Sequence, residues 1–203
     1  MVAEKPSLAL AIAGHLSRGS HTTRHGGATD VHEYSGSFRG SPATFRVTSV
    51  KGHVYTLTFT PEWESWDVDP ALLFGAETVK VPTSGAVCGH LEHEAKGASH
   101  LVLWLDCDRE GENICFEVMH KCCPVMAPGP GQRVWRARFS AVSEAAMQGA
   151  MRELGTPDEQ QASAVDARQE LDLKVGIAFS RFQTRHFAAR YPRLGRNTIS
   201  YGP

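Results

Sequence analysis

The sequence predicts an α/β fold: a mostly parallel sheet flanked by helices, followed by a helical segment. Three observations predict it. Residues 101–105 are five apolar residues in a row, enough for a strand buried on both faces. Directly after them, Ile114, Cys115, Val118, Met119 and Cys122 fall on one helical face. Residues 158–190 carry a second, longer helical pattern. Between the central strand and its helix stand four carboxylates, Asp106, Asp108, Glu110 and Glu112. The C-terminal end of a core strand is where open α/β sheets place their chemistry.

The acid run calls for a physical explanation. Asp106 and Asp108 are two apart, so on an extended chain they point the same way. Like charges that close are unfavourable unless something neutralises them. A hard divalent cation would do so, and Mg²⁺ typically takes one or two carboxylates and keeps positions for water and phosphate. On spacing alone, a solvated acidic turn capping a helix N-terminus is an equal alternative.

The elements follow in order. Residues 1–3 read as the stub of a strand and 4–7 as a turn, with Ser7 a candidate cap. Leu8, Ala9, Ile12, Ala13 and Leu16 make a helical apolar face. Glu4 ends this strand as Asp106 ends the central one, so parallel neighbouring strands would bring them together. Residues 19–30 read as a Gly-rich loop. Residues 31–50 read as a β-hairpin, with Gly36 and Gly40 as turn or bulge points. A flexible Gly52 and a titratable His53 follow. Pro61, Trp63, Trp66 and Pro70 mark an irregular stretch expected over the sheet edge, and residues 75–97 show no pattern. Residues 134–139 alternate as a strand does, with Arg136 and Arg138 on one face. Ser140 would cap a helix over 144–154, with a capping-box-like offset to Ser143 or Glu144. Gly155-Thr156-Pro157 is the expected boundary between domains at 1–155 and 156–203. Beyond it, Leu171, Val175, Ala178, Phe179 and Phe182 form an apolar stripe. Lys174, Arg181 and Arg185 form a basic face suited to phosphates. The tail from Tyr191, with Pro192, Gly195, Gly202 and Pro203, shows no terminating element.

Composition sets the limits. Hydrophobic residues make up 41% of 203, enough for a core, and the net charge of −1 gives no global sign of a polyanionic partner. The C-terminal stretch from Lys174 is basic and free of Asp and Glu, which suggests an anionic partner locally. The five cysteines are odd in number and read as buried, reduced thiols rather than a disulfide frame. Cys88, His90 and His93 lack a second ligand pair, which goes against zinc. No apolar run approaches the length of a membrane span, so no membrane partner is expected.

Five segments occur together in one order: Ala3-Glu4-Lys5-Pro6-Ser7, Ser49-Val50-Lys51-Gly52-His53, Asp106-Cys107-Asp108-Arg109-Glu110-Gly111-Glu112-Asn113, Arg136-Ala137-Arg138-Phe139-Ser140 and Val165-Asp166-Ala167-Arg168-Gln169-Glu170-Leu171-Asp172. This set resembles the N-terminal part of type IA DNA topoisomerases of the eukaryotic topoisomerase III kind, the beta form more than the alpha form.

The resemblance implies a Toprim domain over residues 1–155, followed by the helical start of the next topoisomerase domain. It implies Glu4, Asp106, Asp108 and Glu110 as catalytic acids, with Glu4, Asp106 and Asp108 around Mg²⁺. Lys5, His53, Arg136 and Arg168 would contact single-stranded DNA, with RNA left open. The implied reaction cuts one strand with a tyrosine hydroxyl, passes another through and reseals, without ATP. Acids and metal would position the phosphate and assist proton transfer at the leaving 3′ oxygen. The resemblance further implies a nuclear location and a protein partner of the kind that topoisomerase III complexes have.

Two departures from the family pattern stand out. The family has apolar residues before Ala3 where this sequence has Met1 and Val2. The family's nucleophilic tyrosine belongs to a later domain, and Tyr201 matches a different segment, so this polypeptide alone is not expected to relax supercoils. Two rival readings remain: another Toprim phosphoryl-transfer enzyme, such as a primase or nuclease, and an inactive single-strand-binding fragment.

Overall fold

The computed structural model describes residues 1–191 and 198–200. Pro192, Gly195, Tyr201, Gly202 and Pro203, named above, lie outside the described residues. In chain order the elements are β1 (Val2–Ala3), α1 (Pro6–Ser17), β2 (Thr22–Arg24), β3 (Val31–Phe38), β4 (Ser41–Ser49), β5 (Tyr55–Phe59) and β6 (Thr78–Pro82). Then come α2 (Gly85–Ala95), β7 (Leu101–Trp104), α3 (Arg109–Cys122), β8 (Val134–Arg136), α4 (Glu144–Arg152) and α5 (Glu159–Arg190). The chain forms two compact units. One comprises Met1–Tyr55 with Pro82–Val165, and the other Thr56–Val81 with Asp166–Pro203.

The first unit is built on a six-stranded sheet of order β2-β3-β4-β1-β7-β8. The pairs β4–β1, β1–β7 and β7–β8 are parallel, and β2–β3 and β3–β4 antiparallel. Period-two alternation gives the sheet two apolar faces. Ala3, Val102 and Trp104 share a core with Leu8 and Ile12 of α1 and Met147 of α4. Val2, Leu101, Leu103 and Leu105 share the other with Leu91 of α2 and Ile114 and Val118 of α3. The two-residue β1 is therefore central, and both of its side chains are buried.

Several local expectations shift. The hairpin turn lies at Arg39–Gly40, where consecutive positive φ values of 50° and 84° fit a tight two-residue connection. Gly36 instead sits inside β3, where its bare Cα leaves room for the Phe45 ring. The Gly-rich stretch before it contains β2, and residues 75–97 contain β6 and α2, the latter capped by Ser84. Ser143, not Ser140, caps α4. Gly155, read as a boundary, exchanges two backbone hydrogen bonds of 2.9 Å with Arg136 and so extends the sheet edge.

In the second unit, β5 and β6 form a two-stranded sheet. The tryptophan-rich stretch belongs to this unit. Trp63 and Val68 pack with Phe59, Leu73, Leu173, Ile177 and Ala178. The buried side of α5 here runs through Leu173, Ile177 and Ala178. Of the expected stripe, Leu171, Phe179 and Phe182 are exposed. Among the described residues, no helix is long and apolar enough to cross a membrane.

Candidate active site at the strand ends

The parallel strands β4, β1 and β7 carry their C-terminal ends to one edge of the sheet. Chain continuity then puts Gly52 and His53 after β4, Glu4 and Lys5 after β1, and Asp106 to Asp108 after β7 at that edge. The expectation that Glu4 reaches the acid run is met: Glu4 Oε2 accepts the Asp106 backbone N–H at 3.0 Å. Lys5 Nζ lies 3.3 Å from Asp106 Oδ2, with both side chains about half exposed. Gly52 N–H donates to the Glu4 carbonyl at 3.5 Å, and φ of 87° at Gly52 turns the chain toward His53.

Asp108 is the N-cap of α3, and its Oδ1 accepts the Gly111 N–H at 2.8 Å. Glu110 and Glu112 follow in the first turn, where the helix dipole favours acids. A Cβ on Gly111 would run into the Asp106 carbonyl oxygen, so only glycine lets the acid loop lie this close to the helix. Asp106 is therefore located through its N–H, its carbonyl and its carboxylate at once.

Arg136 departs most from expectation. Read as a nucleic-acid contact, it is fully buried, with side-chain exposure of 0%. Its Nε donates to Glu112 Oε1 at 3.0 Å. Its Nη1 donates to the carbonyls of Leu105 at 2.8 Å and Ala137 at 2.9 Å, and its Nη2 to that of Asp106 at 2.8 Å. The guanidinium is consumed in holding the end of β7 and cannot also reach a strand outside. Alternation placed Arg136 and Arg138 on one face correctly, but that face is covered by Glu112. Arg138 Nη1 reaches the same Glu112 oxygen at 2.9 Å, and the other Glu112 oxygen accepts Asp158 N–H at 2.9 Å. Sequence reasoning named Glu112 in the acid run but gave it no such role. Its spacing four residues after Asp108, on the inner side of a helix, is the signal that could have found it.

His53 is held between two acids, with Nε2 3.1 Å from Glu110 Oε2 and Nδ1 3.1 Å from Glu117 Oε1. Its pKa is raised, chiefly by the hydrogen bond to Glu117 and further by Glu110, against the opposing effect of burial. Arg168 lies in the second unit, 60% exposed and 3.8 Å from Asp172. The basic face expected there is largely engaged. Arg181 donates to the carbonyls of Trp63, Glu64 and Ser65, Arg185 to that of Val68, and Lys174 pairs with Glu170 at 2.6 Å. All five cysteines are free. Cys107, expected buried, is exposed between the two aspartates, and its Sγ accepts the Phe139 N–H.

Among the described residues, no three His, Cys, Asp or Glu side chains converge as a ready-made cage. The exposed acids still suit a hard cation: their donors are all oxygen, and Asp106 is 41% exposed. Mg²⁺ needs only one or two carboxylates when water and phosphate complete its shell. The Cys88–His90–His93 set forms no metal cluster, and His90 instead lies 2.7 Å from the Thr48 hydroxyl.

The DNA topoisomerase 3-beta of Arabidopsis thaliana is 52% identical to this chain over 206 residues, and DNA topoisomerase 3-beta-1 of Homo sapiens 51% over 211. Each alignment covers 100% of this chain and 24% of the relative, so the chain spans about a quarter of the length of these curated relatives. The full-length topoisomerase I of Thermotoga maritima shares the fold, with a TM-score of 0.56 at 21% identity, over 98% of this chain and 27% of that one. A model of the Toprim domain matches residues 1–139. With the sheet order, the acids at its parallel strand ends and that match over more than half its length, the chain belongs to the Toprim domain family.

Proposed function

We propose that this chain supplies the metal-binding half of a type IA DNA topoisomerase of the topoisomerase 3-beta kind, acting on single-stranded DNA in the nucleus. The observation that carries the proposal is the Glu4–Asp106 hydrogen bond, which joins acids from two adjacent parallel strands at one sheet edge. Glu4, Asp106 and Asp108 would hold Mg²⁺, which when bound neutralises charge on the scissile phosphate. Among the described residues, Lys5 is held by a half-exposed ion pair worth about 1 kcal/mol or less, so it could turn from Asp106 to that phosphate. Glu4 is the candidate proton donor to the leaving 3′ oxygen, and Arg168 a backbone contact for the strand. Residues 156–203 would open the next domain, and the tyrosine nucleophile would come from polypeptide outside residues 1–203. A protein partner belongs to the same proposal.

The test is a chimera in which this chain replaces the matching segment of the Arabidopsis enzyme. It should relax negatively supercoiled DNA with Mg²⁺, and the same chimera with Asp106→Asn and Asp108→Asn should not. A folded chimera that fails to relax DNA, or a double variant that still does, would contradict the proposal. So would a covalent adduct on Tyr201 of the isolated chain after incubation with single-stranded DNA and Mg²⁺.

A further inference from the structure

Helix α5 carries two apolar faces. Leu173 and Ile177 pack inward on the core of the second unit with Phe59, Leu73 and Ala178. Leu171, Phe179 and Phe182, at successive offsets of eight and three, share the opposite face, and each is more than half exposed. The 3-10 turn Pro70–Gly75 runs beside that face and leaves Phe74 half exposed. Between turn and helix lies a groove of about 240 Å³, lined by Pro70, Ala71, Phe74, Ala178, Phe179 and Phe182. Among the described residues, this unit exposes more large apolar side chains than it buries. A contiguous apolar surface of this kind marks a place where something docks.

We infer that this groove is the seat of an apolar segment from the remaining polypeptide of a topoisomerase 3-beta. The inference rests on the reading of this chain as part of such an enzyme, since it matches 24% of the Arabidopsis relative and leaves the larger part of that protein to supply the occupant. The chemistry of the groove selects a peptide over a nucleic-acid strand. Among the described residues, no charged side chain lines it. Arg181 and Arg185, on the same helix, are turned to the carbonyls of Trp63, Glu64, Ser65 and Val68 and leave no row of cations for phosphates. An amphipathic segment that sets apolar side chains among Phe74, Phe179 and Phe182 removes their surface from water and enlarges the core of the unit.

Fluorine NMR tests it, with a trifluoromethyl-phenylalanine in place of Phe182 and access read as line broadening by a soluble gadolinium chelate. In the isolated 203-residue chain the signal should broaden strongly. In the chimera with the Arabidopsis enzyme the broadening should be lost. The chimera carrying Asp106→Asn and Asp108→Asn should protect the label equally, so the outcome is separate from that of the relaxation assay. If the label at Phe182 keeps the chimera from folding, the same label at Phe74 reports from the opposite wall of the groove. Equal broadening in the isolated chain and the folded chimera would overturn the inference. So would protection in the isolated chain that grows with its concentration, which would give the groove to a second copy.

Discussion

Both compact units bury an arginine against loop carbonyls, yet they anchor it differently. Arg136 sits under the acid loop with Glu112 as a fully buried partner, and Arg138 and Asp158 N–H satisfy that carboxylate further. Arg181, in the second unit, gathers the carbonyls of Trp63, Glu64 and Ser65 and lies near the Trp66 ring. Its pKa is lowered by burial and by nearby Arg185. The first arrangement ties three segments to one charge pair beneath a candidate active site. The second shapes one loop. Arginines that read from sequence as phosphate contacts are, in both places, internal scaffolding, and at the sheet edge the exposed Asp106 is paired with the exposed Lys5 instead.

The largest expected effect tests that difference. Removing one member of a buried pair strands the other, at a cost of about 3–5 kcal/mol. Arg136→Met should therefore lower the melting temperature by about 10 °C for a chain of this size. Because much of that loss is the stranded Glu112, the double variant Arg136→Met plus Glu112→Leu should be milder than the single one by calorimetry. A double variant as unstable as the single would break the comparison. Gly111→Ala comes next. Forcing a methyl group against the Asp106 carbonyl should cost about 1–3 kcal/mol, and amide shifts should move at Glu4 and Asp106 as their hydrogen bond lengthens. Arg181→Met should cost less, about 1–2 kcal/mol, because its partners are loop carbonyls rather than a buried charge. Unfolding by urea would measure it.

The smallest effect is the dependence on pH. The folded pKa of His53 is raised, so protonation favours the folded state. That contribution is complete below about pH 6.5, the ordinary histidine value, and is lost as pH rises through the folded midpoint. Urea stability should decline across that interval and the decline should disappear in His53→Asn.

The acid site was legible because its signals are local. A run of apolar residues ending in Asp106-Cys107-Asp108 announces a buried strand and its polar exit, and Glu4 repeats the pattern after Val2–Ala3. Other features depended on what packs against what. Alternation put Arg136 and Arg138 on one face but could not say that Glu112 covers it. The helix α2 was missed because Gly85, Gly89, His90 and His93 blur its apolar face, although Leu91 and Cys88 are buried. The Arg39–Gly40 turn was obscured by a non-glycine residue with positive φ. On α5, the expected stripe had Ala178 on the buried side, but Leu171, Phe179 and Phe182 are exposed while Leu173 and Ile177 pack inward instead.

The central claim is that the outer acids at the sheet edge, unlike the buried Glu112, form a cation site. A Mg²⁺ titration of the isolated chain followed by amide NMR tests it most directly. Saturable shifts should appear at Glu4, Lys5 and residues 106–110 and vanish in Asp106→Asn plus Asp108→Asn. No Mg²⁺-dependent shift at these residues, or the same shifts in the double variant, would contradict it.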